Sequence, residues 1–257
     1  MNNKVALITG STSGIGLGIA REMAAAGYAL ALNGLEKNGA EIAAGIGTEF
    51  GVRVFFSPAN LLDEQAIVQF ISEAEKTLGP VDVLINNAGI QFVSPIEDFP
   101  VDKWNAIIGL NLTAAFHTTR LVIGGMKQRG WGRIINIASA HGLTASEYKS
   151  AYVAAKHGIV GFTKVAALEG APHGVTCNAI CPGYVETPLV KNQVKDQAAA
   201  HGITEAEVIQ KVMLVKQPVK QFVTVEAIGQ YCVFLCTDAG NLITGAALPI
   251  DGGWNAQ

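Results

Sequence analysis

Tyr152 and Lys156 stand four residues apart in the run Tyr152-Val-Ala-Ala-Lys156. In a helix that spacing puts both side chains on one face, one turn apart. The chemistry such a pair could do is proton transfer. A tyrosine alone is a poor acid or base near neutrality, because its unperturbed pKa is about 10. A fixed cation nearby favours the phenolate and lowers that value. A lowering of roughly three units is about 4 kcal/mol of preference for the charged form. The same two residues on a solvated helix face would do nothing, so the rest of the chain has to build a site around them.

The elements that could do so are legible in order. An apolar strand-length run at 4–9 leads into Gly10-Ser-Thr-Ser-Gly14-Ile-Gly16, and a helical segment follows from Leu17 to Gly27. Strand, glycine turn and helix together make a phosphate cradle: glycines let the backbone approach, and the helix N-terminus offers N–H groups and a positive dipole end. A second strand, 28–32, ends at Asn33-Gly34-Leu35, where many NAD-binding proteins place an acidic residue on the adenosine ribose. Here Asn33 takes that place with Glu36 close behind, and no arginine is available for a 2′-phosphate, so NAD is expected over NADP.

Helical pattern over 36–50, strand 52–56, helix 66–78 and strand 81–86 continue a βαβ alternation, which predicts a parallel sheet covered by helices on both faces. A long helix over 102–125 carries Asn111, and an asparagine inside a helix is mildly unfavourable unless it has a polar task. Strand 133–138 ends at Ser139-Ala140-His141, and a helix from Lys149 to about Leu168 carries the Tyr–Lys pair. Strand 175–180 precedes Cys181-Pro182-Gly183-Tyr184. Helical pieces at 189–200 and 205–215, without a strand between them, make 186–217 a candidate lid or a plain surface excursion. A helix over 224–236 and a strand over 246–250 close the chain. In open α/β sheets ligands bind outside the carboxyl ends of the strands, and Asn87-Ala88-Gly89, Gln91, Ser139 and Pro182-Gly183 all fall at such ends.

The bulk properties exclude other classes. The chain has 257 residues, 49% of them apolar, which is enough for one α/β domain, 1–257, with a sizeable core. A net charge of −3 without a basic run argues against nucleic acid. No apolar stretch reads as a membrane span, and Met1 to Gly10 runs straight into a strand with no room for a signal peptide, so a cytoplasmic protein is expected. Cys177/Cys181 and Cys232/Cys236 share a spacing that suggests zinc, but they lie in apolar strand-like and helical runs and read as core residues; no metal is expected.

Thr9-Gly10-x3-Gly14-x-Gly16, Asn86-Asn87-Ala88-Gly89, Asn111, Ser139, Tyr152-x3-Lys156 and Pro182-Gly183 resemble, in order and over essentially the whole chain, the motifs of the short-chain dehydrogenase/reductase family. The resemblance implies a Rossmann-type doubly wound parallel sheet, a single domain with a helical substrate lid at about 186–217, and a catalytic tetrad of Asn111, Ser139, Tyr152 and Lys156. Tyr152 would move the substrate proton, and Lys156 would lower its pKa and bond the nicotinamide ribose. Ser139 would hold the substrate oxygen, and Asn111 would hold a water linked to Lys156. Cofactor contacts would come from Gly10, Thr12, Gly14, Ile15 and Gly16 in the glycine turn. Asn33, Leu35, Asn60 and Leu61 would lie on the adenosine side, with Asn87, Ala88 and Gly89 after the fourth strand. Pro182, Gly183, Val185 and Thr187 would complete the nicotinamide side, with Thr187 on the carboxamide. The family also implies a dimer or tetramer, with a homotetramer expected.

Within the family, Asn87-Ala-Gly-Ile-Gln91, Ser139-Ala-His141-Gly-Leu143, Lys149 to Gly158 and Lys216-Gln217-Pro218 are similar to the bacterial D-3-hydroxybutyrate dehydrogenases. That likeness implies NAD-linked oxidation of 3-hydroxybutyrate to acetoacetate. Gln91, His141, Lys149 and Gln193 would surround a small carboxylate, and Trp254 would line the pocket beside Ser139 and Tyr152. Two departures stand out. Tyr184 replaces an expected tryptophan, which could open the pocket to slightly longer 3-hydroxy acids. Asn60 replaces an aspartate at the adenine. Reduction of a 3-oxoacyl thioester is the alternative chemistry and would call for NADP and a basic carrier surface. A dinucleotide-binding sensor without catalysis would be expected to lack Ser139, Tyr152 or Lys156, and all three are present.

Overall fold

The computed structural model describes residues 4–187, 190, 194 and 202–256. Seven parallel strands form one sheet in the order β3-β2-β1-β4-β5-β6-β7. They are β1 Val5–Ile8, β2 Ala29–Asn33, β3 Val54–Ser57, β4 Val81–Asn86, β5 Gly132–Ile137, β6 Val175–Pro182 and β7 Ala247–Ile250. The chain order reverses between β1 and β4, which opens a crevice at the carboxyl ends of those strands. The central strands are buried on both faces, which is why they read as continuous apolar runs.

Side chains alternate between two cores, as the strand period requires. Ala6, Ile8, Leu30, Leu32 and Ile135 pack against helices α1 (Gly14–Ala25), α2 (Gly39–Phe50) and α8 (Val225–Leu235). Val5, Leu7, Ala31 and Ile134 face α3 (Glu64–Leu78), α5 (Ala114–Arg129) and α6 (Ser150–Gly170). Asp63 caps α3 by accepting from Gln65 N at 2.9 Å. Between α3 and α5 lies α4 (Val101–Ile108), and α7 (Glu205–Val208) belongs to the lid segment. Thr204 and Glu207 cap α7 reciprocally.

The structure moves several expected boundaries, with reasons. Helix α1 begins at Gly14 rather than Leu17, so two glycines of the turn lie inside its first turn. Helix α2 begins at Gly39, after the 36–38 segment has turned toward the glycine loop. The expected single helix 102–125 is interrupted at Gly109–Thr113 by a turn of π-helix, with Ala114 N bonded to Gly109 O. A second π turn, Ile209–Met213, follows α7 in the lid. Such turns break the regular ladder and concentrate at functional sites. The expected helix at 189–200 lies largely outside the described residues.

The helical run Val101–Arg129 is long and apolar enough by composition to cross a membrane, which corrects the expectation that no stretch qualifies. In the fold it lies on the sheet, with Ala114, Ala115, Thr118, Val122 and Met126 buried. All four cysteines are buried and free. Burial pushes the thiols of Cys177 and Cys236 up to about 12 and that of Cys181 to about 11, the state of core thiols rather than nucleophiles.

Candidate active site

The glycine turn is built for close approach. Gly10 (φ 60°) and Gly14 (φ 50°) sit in the left-handed region. A Cβ on Gly16 would run into the Gly10 carbonyl and the Asn87 amide. Asn87 staples β4 to this turn: its Nδ2 donates to Thr9 O at 3.0 Å and to Gly10 O at 2.8 Å. Thr9 Oγ1 in turn accepts from the Asn87 and Ala88 amides, each at 3.0 Å. Ser13, at the N-cap of α1, makes no side-chain cap, so the first-turn N–H groups are left to a ligand. Its hydroxyl donates instead to Glu36 Oε1 at 2.7 Å. This cradle fits a dinucleotide pyrophosphate.

The adenosine side differs from expectation. Asn33 is 2% exposed and its side chain serves the backbone: Oδ1 accepts from Gly10 N, and Nδ2 donates to Ser57 O and Ala59 O. It shapes the turn and leaves no group for a ribose. Glu36 instead reaches over the loop, accepting from both Thr12 Oγ1 and Ser13 Oγ. The Thr12 hydroxyl, seconded by Ser13, holds the Glu36 carboxyl below the usual carboxylate range despite partial burial. The signal for Glu36 was its place about twenty residues beyond the glycine turn. Leu35 is exposed, Leu61 is buried, and Asn60 Oδ1 accepts from Leu62 N at 3.1 Å.

The strand ends on the other side of the crevice bring the tetrad together. Lys156 is 5% exposed and its Nζ donates to Ile137 O, the last carbonyl of β5, at 2.7 Å. That ammonium lies 5.5 Å from the centroid of the Tyr152 ring. Burial lowers the Lys156 pKa to about 8. Burial also raises the Tyr152 pKa, against the pull of the Ser139 hydrogen bond. Burial thus sets the direction for the phenol, and the hydrogen bond of the Lys156 ammonium is aimed at Ile137 O rather than at Tyr152.

Asn111 sits in the π turn, 4% exposed. Its Oδ1 accepts from Ile90 N at 2.9 Å and its Nδ2 donates to Ile90 O at 3.0 Å, which ties down the loop after β4. The side chain is thereby committed to the loop rather than to a water. A cavity of about 10 Å³ beside it, lined by Thr9, Asn86, Ala88, Asn111 and Ile137 among others, has the size of one water. A Cβ on Gly89 would lie 3.2 Å from Asn111 Oδ1, so the loop passes close to that amide.

The substrate side is a row of rings. His141 meets Tyr152 at 5.9 Å and Trp254 at 5.2 Å, both edge-on, and Trp254 stacks on Tyr184 at 5.7 Å. His141 lies between two serines, with Nδ1 3.4 Å from Ser139 Oγ and Nε2 3.0 Å from Ser146 Oγ. Burial, with the charge of Lys149 next, lowers its pKa to about 4, so the imidazole is neutral at pH 7. Lys149 is half-buried at the N-cap of α6, and burial lowers its pKa too. Gln91 is exposed on the loop after β4. Val185 bridges to Val223, Thr187 Cγ2 would touch a Cβ on Gly14 at 3.7 Å, and Gln193 lies outside the described residues.

The family described as short chain dehydrogenase matches residues 4–198. The D-beta-hydroxybutyrate dehydrogenase of Cupriavidus necator is 53% identical over the full length of both chains. The enzyme of that name from Rhizobium meliloti is 52% identical over 99% of each. The acetoacetyl-CoA reductase of Shinella zoogloeoides is 38% identical over 98% of each chain. Among solved structures, L-sorbose reductase of Gluconobacter frateurii, complexed with NADPH and L-sorbose, aligns with a TM-score of 0.93 at 30% identity, over 99% of this chain and 97% of that one. The chain belongs to the short-chain dehydrogenase family.

As a member of that family it is an oxidoreductase that uses a nicotinamide dinucleotide. Two local features of its site escaped the sequence. Ser146 is a hydrogen-bond partner of His141, and nothing in its spacing marked it. Tyr148 has φ 64°, alone among the described residues other than glycine, and directly precedes Lys149. Its carbonyl accepts from Ser94 N at 2.9 Å, so the strained turn also ties α6 to the loop after β4. A non-glycine residue there costs about 1–2 kcal/mol, and asparagine tolerates the conformation better. Tyr148→Asn should therefore raise the free energy of unfolding in urea by about 1 kcal/mol. A loss of stability would show that the tyrosine ring contributes more than its backbone costs.

Proposed function

We propose that the chain catalyses the reversible, NAD-dependent oxidation of (R)-3-hydroxybutyrate to acetoacetate. One observation carries the reading: neutral His141 packs edge-on against Tyr152 and feels the charge of Lys149, which stands three residues before Tyr152 at the start of α6. A short carboxylate bonded by the ammonium puts its 3-carbon next to the phenol, and a charge-assisted bond in a partly desolvated site is strong. The names of the relatives from C. necator and R. meliloti support the same substrate.

The residues divide the work as follows. In oxidation, Tyr152 Oη as phenolate takes the proton of the substrate hydroxyl. A bound nicotinamide would supply the acceptor for the hydride from C3. Ser139 Oγ donates to the substrate oxygen and fixes it, and His141 in turn orients Ser139. Lys156, with one N–H spent on Ile137 O, has its others for the ribose hydroxyl. Asn111 holds the loop that closes this wall, and its main chain in the π turn faces the work of holding a water for Lys156. In reduction the same proton runs back from Tyr152 to the carbonyl oxygen.

NAD rather than NADP is supported by Glu36. Its carboxylate stays ionised over Thr12 and Ser13, where it suits a ribose hydroxyl and repels a 2′-phosphate. Residues 186–217 serve as the lid, with Gln91 and Gln193 as further donors to the carboxylate. A homotetramer is proposed from the apolar residues exposed on α4, α5 and α6, among them Trp104, Phe116, Val165 and Leu168. Reduction of a 3-oxoacyl thioester is the second reading, favoured only by relatives such as the acetoacetyl-CoA reductase at 38% identity.

Steady-state rates decide between them. Acetoacetate with NADH should turn over faster than an acetoacetyl thioester with NADPH; the reverse order overturns the substrate. Lys149→Ala should raise KM for the acid about 10- to 100-fold, the worth of one bond to a charged group, and leave KM for the cofactor unchanged. An unaltered KM for the acid would place that lysine outside the pocket. The pH dependence has a definite sign. Tyr152 is raised, so its phenolate fraction is small at neutrality and grows with pH. Oxidation should accelerate steadily as pH rises toward the raised phenol pKa, while reduction stays flat up to about pH 10 and falls only beyond it, through one shared titration, and Tyr152→Phe should lower both by about 10²–10⁴-fold. Parallel profiles in the two directions would remove Tyr152 as the proton carrier.

A further inference from the structure

The end of the lid segment is held more firmly than a surface excursion requires. Leu214 is fully buried and Gln217 is 1% exposed. Gln217 Oε1 accepts from Tyr184 N at 3.1 Å, and its Nε2 donates to Gln221 O at 2.9 Å. A Cβ on Gly183 would lie 2.6 Å from that Oε1, so the glycine is what admits the amide. Lys220 Nζ donates to Leu214 O at 2.6 Å and to Val215 O at 3.1 Å. These bonds fix the main chain on both sides of Lys216, against the end of β6 that carries Tyr184.

The Lys216 side chain is exposed and lies over the outer wall of the row of rings. Its Nζ lies 5.9 Å from the centroid of the Trp254 indole. That indole is 7% exposed and stands between Tyr184 and His141, with His141 next to Tyr152. One row of rings thus connects Lys216 to the reacting phenol. The charge of Lys216 acts on both His141 and Lys149, making it harder for either to hold a proton. Like charges that share a site repel, and an anion between them relieves the repulsion.

The geometry points to Lys216 as a second cation for the substrate carboxylate, acting from the lid side while Lys149 acts from α6. This rests on the short-carboxylate reading above and deepens it. A single ammonium binds as a point charge and fixes no orientation. Two on separate elements hold both carboxylate oxygens and set the rotation of the acid, so that C3 faces Tyr152. The pair also gives a reason for choosing free acids over thioesters, which carry no charge at that place.

The test uses the full-length enzyme saturated with NADH, with acetate as the charged probe and acetamide as its neutral counterpart, titrated by calorimetry. Lys216→Gln should weaken acetate about tenfold and leave acetamide and NADH binding unchanged, while Lys216→Arg should keep most of the acetate affinity. Unchanged acetate affinity in Lys216→Gln overturns the assignment. So does an equal loss of acetate and acetamide, which would mark Lys216 as a packing residue of the Trp254 wall. A wild-type enzyme that does not bind acetate overturns it as well. A wild-type enzyme that binds acetate yet does not oxidise 3-hydroxybutyrate overturns the substrate proposal and leaves the role of Lys216 standing.

Discussion

A lysine ammonium buried to 5% exposure is an expensive thing to fold around. Lys156 is held by one bond to the last carbonyl of β5, and much of the site follows from that bond. It fixes where α6 crosses the strand end, and therefore where Tyr152 points, one turn earlier on the same face. It also requires the chain between β5 and α6 to pass close by. A Cβ on Gly142 would stand 2.8 Å from the Lys156 carbonyl, so the turn after Ser139 can pack there only with a glycine. Ser139 opens that turn by accepting from His141 N at 3.2 Å, which places serine, histidine and phenol in one small volume.

The desolvation that makes Lys156 costly also sets the chemistry. It brings the ammonium down to about 8 and pushes the phenol up, so the two groups move apart in proton affinity and the ammonium gives up its proton the more readily. Helical spacing alone predicts a cation that lowers the phenol. Spacing gives adjacency, whereas burial acts on both partners. The same limit appears at Asn33, which motif position marks for the ribose. Only the fold shows that its amide is bonded to Gly10, Ser57 and Ala59, while Glu36 accepts from Thr12 and Ser13 over the loop.

The strands, their parallel arrangement and the placing of Tyr152 and Lys156 on one helix were legible, because each rests on a local pattern: unbroken apolar runs, glycine spacing, a Tyr–Lys pair one turn apart. The π turn at Asn111 was not, since α and π segments share one hydrophobic pattern and differ by a single carbonyl register. Lys216 was not singled out for a similar reason. It stands just past the helical piece at 205–215, where spacing names no partner, and what brings it to Trp254 is the burial of Gln217 against Gly183, a contact between segments more than thirty residues apart.

The places where local rules are broken fall together. A buried ammonium, a left-handed tyrosine before Lys149, a π turn under the loop after β4 and two lysines acting on one histidine all lie at the carboxyl edge of the sheet. The apolar core beneath them is regular, with strand side chains alternating between two packed faces. Natural folds concentrate such violations where function needs them and compensate elsewhere. Here the compensation is visible residue by residue: Ile137 for Lys156, Ser94 for the turn at Tyr148, Ile90 for Asn111.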